Sequence, residues 1–352
     1  MLEVIVAIFI LTSLIVYALM GGADFGGGIW NLLAFGPRAQ RQRESIADAI
    51  APIWEANHVW LILVIVLLFT GFPGAFATMM TALNIPMTVM LLGIVLRGSA
   101  FVFRKYDVED QRRWSTLFGM ASFLTPFVQG VILGALTTGQ IRVEQRGVVT
   151  GFMAGWLTPF ALSCGVFALG LFAFLAATYL TLDTRDEPDL QDDFRRRSLW
   201  SGAALAPIAL VVFLTSRQGA PAMYHELTRW WAPVLLVWTS LFAGAALIAL
   251  WRRRFVVARF AAIGQVTLIL LGWGLAQYPN LVTPDVTVAN AAAPEFTLRL
   301  LVIALGFGAI LLLPSLAYLF YVFKLSAAQP QPRVPGNSEA LAAGQTPGRR
   351  AE

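Results

Sequence analysis

The residues best equipped for chemistry are a few acids, bases and amides set inside otherwise apolar stretches. Glu44, Asp48, Pro52, Trp54, Glu55, Asn57, His58 and Trp60 crowd the start of one apolar run. Asp24 closes an earlier run, within Gly21-Gly22-Ala23-Asp24-Phe25-Gly26-Gly27-Gly28, and Arg97 lies late in a third. An ionisable group at bilayer depth costs several kcal/mol unless it is paired or hydrated, so each of these is a candidate site. Asp48 and Glu55 are seven residues apart and share a face if one helix carries both. A helix starting near Ser45 would put Glu55 about 15 Å along its axis, close to mid-membrane. A desolvated carboxyl there suits proton uptake and release, with Asp48 as its cytoplasmic entrance. Structural pairing of Glu55, with His58 at i+3 or with an arginine of another helix, fits the same pattern.

Around Asp24 the small residues favour close helix approach, and they equally favour a polar channel wall. The stretch is no phosphate loop, because no Lys-Ser/Thr follows it and no strand precedes it. Arg97, with Arg104 and Lys105 just beyond, reads most simply as an arginine that snorkels to the cytoplasmic headgroups. Pairing with an acid of the first or second span is the alternative. The single cysteine, Cys164, lies in an apolar run without the neighbours that a metal site requires, so no metal centre is expected. Haem iron takes His, Met, Cys or Tyr as axial ligand, and the chain has only His58 and His225 beside nine scattered methionines. No catalytic centre is therefore expected in this chain, and redox cofactors would sit in a partner.

These residues must be positioned by membrane helices. Of the 352 residues 58% are hydrophobic and 13% charged, which leaves too little polar surface for a soluble domain of this size. The net charge of +5 comes from short arginine clusters between apolar runs and does not point to nucleic acid. A span needs about 20 apolar residues, and nine segments qualify: roughly 3–23, 46–72, 78–102, 115–136, 155–181, 199–216, 232–251, 256–277 and 298–323. The sixth is the shortest. The first has no basic leader and no small-residue cleavage site, so it is expected to be retained. Basic residues concentrate after the first, third, fifth, seventh and ninth spans, which puts the amino terminus outside and the carboxyl terminus in the cytoplasm. The expected organisation is a transmembrane helical domain over 1–325 and a disordered cytoplasmic tail over 326–352, where Pro, Gly, Ala and Gln dominate. Leu124-Thr125-Pro126-Phe127 recurs as Leu157-Thr158-Pro159-Phe160, too short an echo to establish a repeat.

Ala51-Pro52-Ile53-Trp54-Glu55-Ala56-Asn57-His58-Val59-Trp60-Leu61 resembles the APxW(D/E)GNxxWL signature of the second subunit of cytochrome bd quinol oxidases. Asp24-Phe25-Gly26 is similar to the second half of that family's DGFDLG motif, and Leu96 to Arg104 to its FRGVAFEFR stretch. Thr158 to Gly165 and Ala177 to Leu180 resemble its middle helix. Ala276 to Pro279 with Pro284-Asp285 resemble its late loop. The resemblance runs in order from about residue 5 to residue 323.

The resemblance implies an all-α membrane protein of nine helices, in two four-helix bundles plus one extra. It implies a haem-free subunit beside a larger subunit I that carries haem b and haem d, with a small single-helix subunit in some complexes. The complex would oxidise quinol in the bacterial cytoplasmic membrane and reduce oxygen to water, taking protons from the cytoplasm and building a membrane potential without pumping. Glu55 matches the family's proton-path acid, Asp24 a second acid of that region, and Trp60 the tryptophan of the oxygen route. Trp54, Asn57 and His58 fall in the same motif. Three positions depart from the pattern: Gly21 replaces the first Asp, Ala56 a Gly, and Val102 the Glu of AFEFR. Two of these remove a carboxyl. A cation or solute transporter, or a purely structural membrane partner, are the alternative readings of the same acids.

Overall fold

A computed structural model describes residues 1–51, 54–106, 110–144 and 147–322. The expected tail of 326–352 and Lys324 lie outside the described residues. Twelve helices are present among them, in chain order α1 (Leu2–Leu32), α2 (Ala39–Ile50), α3 (Trp54–Gly71), α4 (Pro73–Ala82), α5 (Asn84–Tyr106), α6 (Gln111–Ala135), α7 (Pro159–Asp183), α8 (Pro188–Gly219), α9 (Pro221–Leu227), α10 (Ala232–Trp251), α11 (Phe255–Gln277) and α12 (Glu295–Phe320). Nine of these, all but α2, α4 and α9, are long and apolar enough to cross a membrane. Two short antiparallel hairpins complete the described structure: β1 (Val143–Glu144) with β2 (Gly147–Val148), and β3 (Asn280–Val282) with β4 (Val286–Thr287).

Local sequence explains the boundaries. Helices α4, α7, α8 and α9 each begin with proline, whose fixed φ and missing N–H suit the first helical turn. Thr158 caps α7 by accepting the Ala161 N–H at 3.1 Å. The two Leu-Thr-Pro-Phe segments thus play different parts: Pro126 lies inside α6, whereas Pro159 opens α7. Their echo reflects no shared local structure.

Three expected spans are redrawn. The run read as 46–72 is two helices: α2 is amphipathic, burying Gln42, Ile46 and Ile50 at four-residue intervals, and α3 alone is the membrane candidate. The run from 78 is likewise divided, with α4 preceding α5. The sixth span, read as the shortest, belongs to α8, which extends 32 residues because its charged first turns stay helical.

The first four candidate spans form one bundle, with α1 against α3 and α6, and α5 against α6. The next four form a second, with α7 against α8 and α11, and α10 against α8 and α11. The bundles meet where α7 packs on α6 and α1, and where α11 packs on α1. The start of α12 joins the first core through Leu298, beside Val6, Leu67 and Phe72. From Gly306 the chain forms a second unit, helical to Phe320.

Arginines from alternate linkers gather at one end. Arg38 makes a two-pronged contact with Asp193, at 2.8 and 2.6 Å, and Gln42 donates to the same carboxylate at 2.8 Å. Arg41 pairs with Glu187. Asp192, one residue along α8, takes Arg195, Arg196 and Arg253, each at 3.0 Å. At the opposite end Arg142 binds Asp285 through Nε at 2.8 Å and Nη2 at 3.1 Å. The same carboxylate accepts the Val143 N–H at 2.9 Å. Linkers after odd spans therefore meet one another, and so do linkers after even spans, as an alternating count of crossings requires.

Two outcomes follow. Asp193→Ala removes a carboxylate that holds Arg38 by two hydrogen bonds and Gln42 by a third, and is expected to lower the apparent melting temperature in detergent by several degrees. Asp186→Ala, whose carboxylate is 91% exposed and 3.8 Å from Arg185, leaves it unchanged. Thermal unfolding of the two variants side by side checks this. The Arg142 guanidinium, assisted by the Val143 N–H, holds the Asp285 carboxyl below its ordinary value of 3.8 despite some burial. A depressed folded value stabilises fully above the ordinary one and is lost as pH falls through it. Wild type should therefore lose more stability than Asp285→Asn on acidification from about pH 5 to about pH 2, read as melting temperature at each pH.

Candidate functional site

Helix α1 is held against two neighbours without side chains in the way. A Cβ at Gly26 would run into the Phe172 carbonyl of α7, and one at Gly28 into the Ser122 hydroxyl of α6. The small residues around Asp24 thus serve close packing. That approach carries Asp24 and Phe25 into the interior, where they are 2% and 0% exposed. Asn57, the fourth residue of α3 and fully buried, donates through Nδ2 to Asp24 Oδ2 at 2.6 Å.

Arg97 of α5 is 1% exposed, so it does not snorkel. Its guanidinium lies between two rings, 4.7 Å from the centroid of Phe25 and 5.2 Å from that of Phe118. Asp24 is the acid nearest in effect to it. Ring faces and a carboxylate offset part of the desolvation cost, so the side chain stays inside. Arg104, two turns further along α5, is half-buried. It donates to Asn31 Oδ1 at 3.1 Å and packs on Phe101 and Phe118.

Toward the other end of α1, the Tyr17 hydroxyl accepts from Gln129 Nε2 at 2.7 Å. A Cβ at Gly21 would come within 2.9 Å of the Tyr17 ring. The departure at Gly21 is therefore matched by an aromatic ring laid over the position.

A polar cavity of about 1170 Å³ opens at the arginine-rich end. Asp48, Glu55 and Glu44 line it with Arg43, Arg104 and Arg112. The expectation that Asp48 and Glu55 share one helix is corrected: Asp48 is on α2, Glu55 in the first turn of α3, and the cavity brings them together. Glu55 is exposed there and not desolvated at mid-membrane, because α3 starts at Trp54 and not near Ser45. Trp54 also lines the cavity, and its ring meets His58 edge-on at 6.4 Å and Phe101 at 5.8 Å. Asp24 is two residues' reach away in sequence terms from this wall, through its bond to Asn57. Trp60 packs against the core shared with Tyr17, Phe25 and Phe172, away from the cavity. His225 is exposed on α9.

Sequence reading missed Tyr17, Asn31, Phe118 and Gln129. One signal was available: Tyr17, Asp24 and Asn31 recur every seven residues along α1, as Arg97 and Arg104 do along α5. Gln129 carries no such spacing, and Phe118 looks like any core residue.

The family model described as cytochrome bd terminal oxidase subunit II matches residues 2–323. The cytochrome bd ubiquinol oxidase subunit 2 of Bacillus subtilis is 26% identical over 326 residues, 88% of this chain and 92% of that protein. The cytochrome bd-I ubiquinol oxidase subunit 2 of Escherichia coli K12 is 33% identical over 205 residues, 57% of this chain and 52% of that one. Among solved structures, a chain of the bd oxidase from Geobacillus thermodenitrificans superposes with a TM-score of 0.73 at 22% identity. The match covers 92% of this chain and 98% of that one, a likeness of fold.

Because Arg97 and Asp24 are buried together, removing one charge should cost more than removing both. Arg97→Met is expected to destabilise by about 3–5 kcal/mol, and Arg97→Met/Asp24→Asn by clearly less. Denaturation of the single and double variants in detergent measures the difference.

Proposed function

The chain belongs to the cytochrome bd terminal oxidase subunit II family, and on that premise we propose that it is the haem-free partner of a haem-bearing subunit I. In this reading haem b and haem d are held by subunit I, which oxidises quinol to quinone and passes the electrons to oxygen. Membrane lipid surrounds the pair, and a small single-helix subunit joins it in some complexes of this kind. The arginine-rich end faces the cytoplasm, in keeping with the positive-inside bias of its linkers.

A haem in this chain fits poorly with its histidines. The His58 ring is hemmed in by Tyr17, Phe25 and Trp54, at centroid distances of 6.2, 5.8 and 6.4 Å. Neither His58 nor His225 lines either of the two large cavities.

Its own part is to deliver protons. The observation that carries this is the placing of acids at two depths, Asp48 and Glu55 in an open polar cavity and Asp24 buried behind Asn57. Protons from the cytoplasm are gathered at Asp48 and Glu55, and Asp24 holds the inner position beside Arg97. Protons consumed at the oxygen-reducing centre are thus drawn from the cytoplasmic side, and turnover supports the membrane potential. Trp60 marks the oxygen route, with Trp54, Asn57 and His58 forming its wall toward the haems.

A tagged chain purified in mild detergent from its native membrane should bring a second polypeptide with it. The reduced-minus-oxidised spectrum should then carry haem bands. Isolation of a stable chain without haem would remove the oxidase reading. In the intact complex, Glu55→Gln should slow quinol-driven oxygen consumption by more than about tenfold with the haem spectrum unchanged. Normal turnover in that variant would end the proton-path role and leave a structural one.

A further inference from the structure

Several arginines at the helix ends have an acid of their own: Arg38 has Asp193, Arg41 has Glu187, Arg113 has Asp110 and Arg142 has Asp285. The second bundle ends differently. Where α8 meets the turn between α10 and α11, Arg195, Arg196, Arg252, Arg253 and Arg254 gather around the single carboxylate of Asp192. Its Oδ1 accepts from Arg195 Nη1 and Arg253 Nη2, and its Oδ2 from Arg196 Nε, each at 3.0 Å. Arg252 and Arg254 are exposed on either side of Arg253 and have no ion pair among the described residues. The first turn of α11 holds no acid and no side-chain cap, and Asp193 is taken by Arg38 and Gln42.

One of the five is spent on the fold. Arg195 donates through Nε to the Leu250 carbonyl at 2.8 Å and through Nη2 to that of Trp251 at 3.1 Å, tying α8 to the end of α10. Arg253 sits in the left-handed region at φ 56°, uncommon for a residue with a Cβ, and from there reaches Asp192. Two guanidinium groups on opposite oxygens of one carboxylate lie side by side, and one negative charge does not balance them together with their neighbours.

The surroundings select the counter-charge. Trp200, one turn beyond Arg196 on α8, is 78% exposed, and Trp251, beside Arg252, is 70% exposed. Val256, Val257 and Phe260 at the start of α11 are exposed as well. Helices α8, α10 and α11 are all long and apolar enough to cross a membrane, so these ends lie at headgroup depth, where tryptophan belts form. Guanidinium groups match phosphate oxygens with paired N–H donors. A free phosphate ion or an acidic peptide would answer the charge and leave the tryptophans and Phe260 bare. A phospholipid answers both, and basic pockets between membrane helices suit anionic headgroups.

We propose that Arg196, Arg252, Arg253 and Arg254 hold the phosphate of an anionic phospholipid whose acyl chains cover Trp200, Trp251 and Phe260. The site owes nothing to the acids assigned to proton delivery and stands whether or not that reading does.

Photo-crosslinking of the intact complex in lipid nanodiscs tests it. Phosphatidylglycerol and phosphatidylcholine, each carrying the same photoactivatable acyl chain, are compared by mass spectrometry of the segment from Trp251 to Phe260. Phosphatidylglycerol should label this segment at least about fivefold more than phosphatidylcholine, and the excess should shrink as salt is raised. Inorganic phosphate at equal concentration should not reduce it. Arg252→Gln/Arg254→Gln, which breaks no ion pair, should bring labelling down to the phosphatidylcholine level. Arg113→Gln/Arg185→Gln, which removes as much charge elsewhere at the same end, should leave it unchanged. Equal labelling by the two lipids in the native complex would overturn the site without any variant having to assemble. Equal loss in the two double variants would reduce it to diffuse surface charge, and competition by inorganic phosphate would assign the arginines to a free anion instead.

Discussion

One buried positive charge sets the terms for the first bundle. Arg97 cannot reach water, so the bundle must supply what water would have given: the faces of Phe25 and Phe118, and a carboxylate at Asp24. Each provision makes its own demand. Phe25 and Asp24 reach Arg97 only if α1 comes close to α6 and α7, which is why glycine occupies positions 26 and 28. Asp24 in turn needs a donor, and α3 must start where it does for Asn57 to meet it. The helix starts, the glycines and the aromatic pair are thus consequences of accommodating one guanidinium in a low-dielectric interior.

Polar groups in the bundle come as rungs between helices. Tyr17, Asp24 and Asn31 follow one another at seven-residue intervals on α1 and meet Gln129, Asn57 and Arg104 on other helices. The rungs grade from a neutral pair, through a buried acid beside a buried base, to a group at the edge of an open cavity. Charge is most expensive at the middle of this ladder, and there it is most closely partnered.

Much of this was legible in the sequence, for reasons that also explain what was not. Apolar length revealed nine crossings because a span must satisfy its backbone internally over a fixed thickness. Arginine clusters revealed the alternation of ends, and the tryptophan–acid–asparagine motif revealed the family. Helix starts were less visible. The polar residues before Trp54 form an amphipathic helix whose apolar positions merge with the following span in any hydropathy reading, and so Glu55 was placed too deep. Arg97 was read as snorkelling because what keeps it inside comes from Phe25 and Phe118, 72 positions before it and 21 after it in sequence. Pairwise contacts between distant residues leave no local trace.

The central place of α1 has a consequence for biosynthesis. It precedes α3, α6, α7 and α11 in the chain, yet it packs against all four, the last of which begins at Phe255. Asp24 is synthesised before Asn57, Arg97 and the helices α6 and α7 that enclose it. Arg38 likewise precedes Asp193 by 155 residues. During synthesis the growing chain therefore carries an acid in a helix whose enclosure is not yet made. Its retention at that stage falls to the insertion machinery and to bilayer deformation rather than to the finished fold.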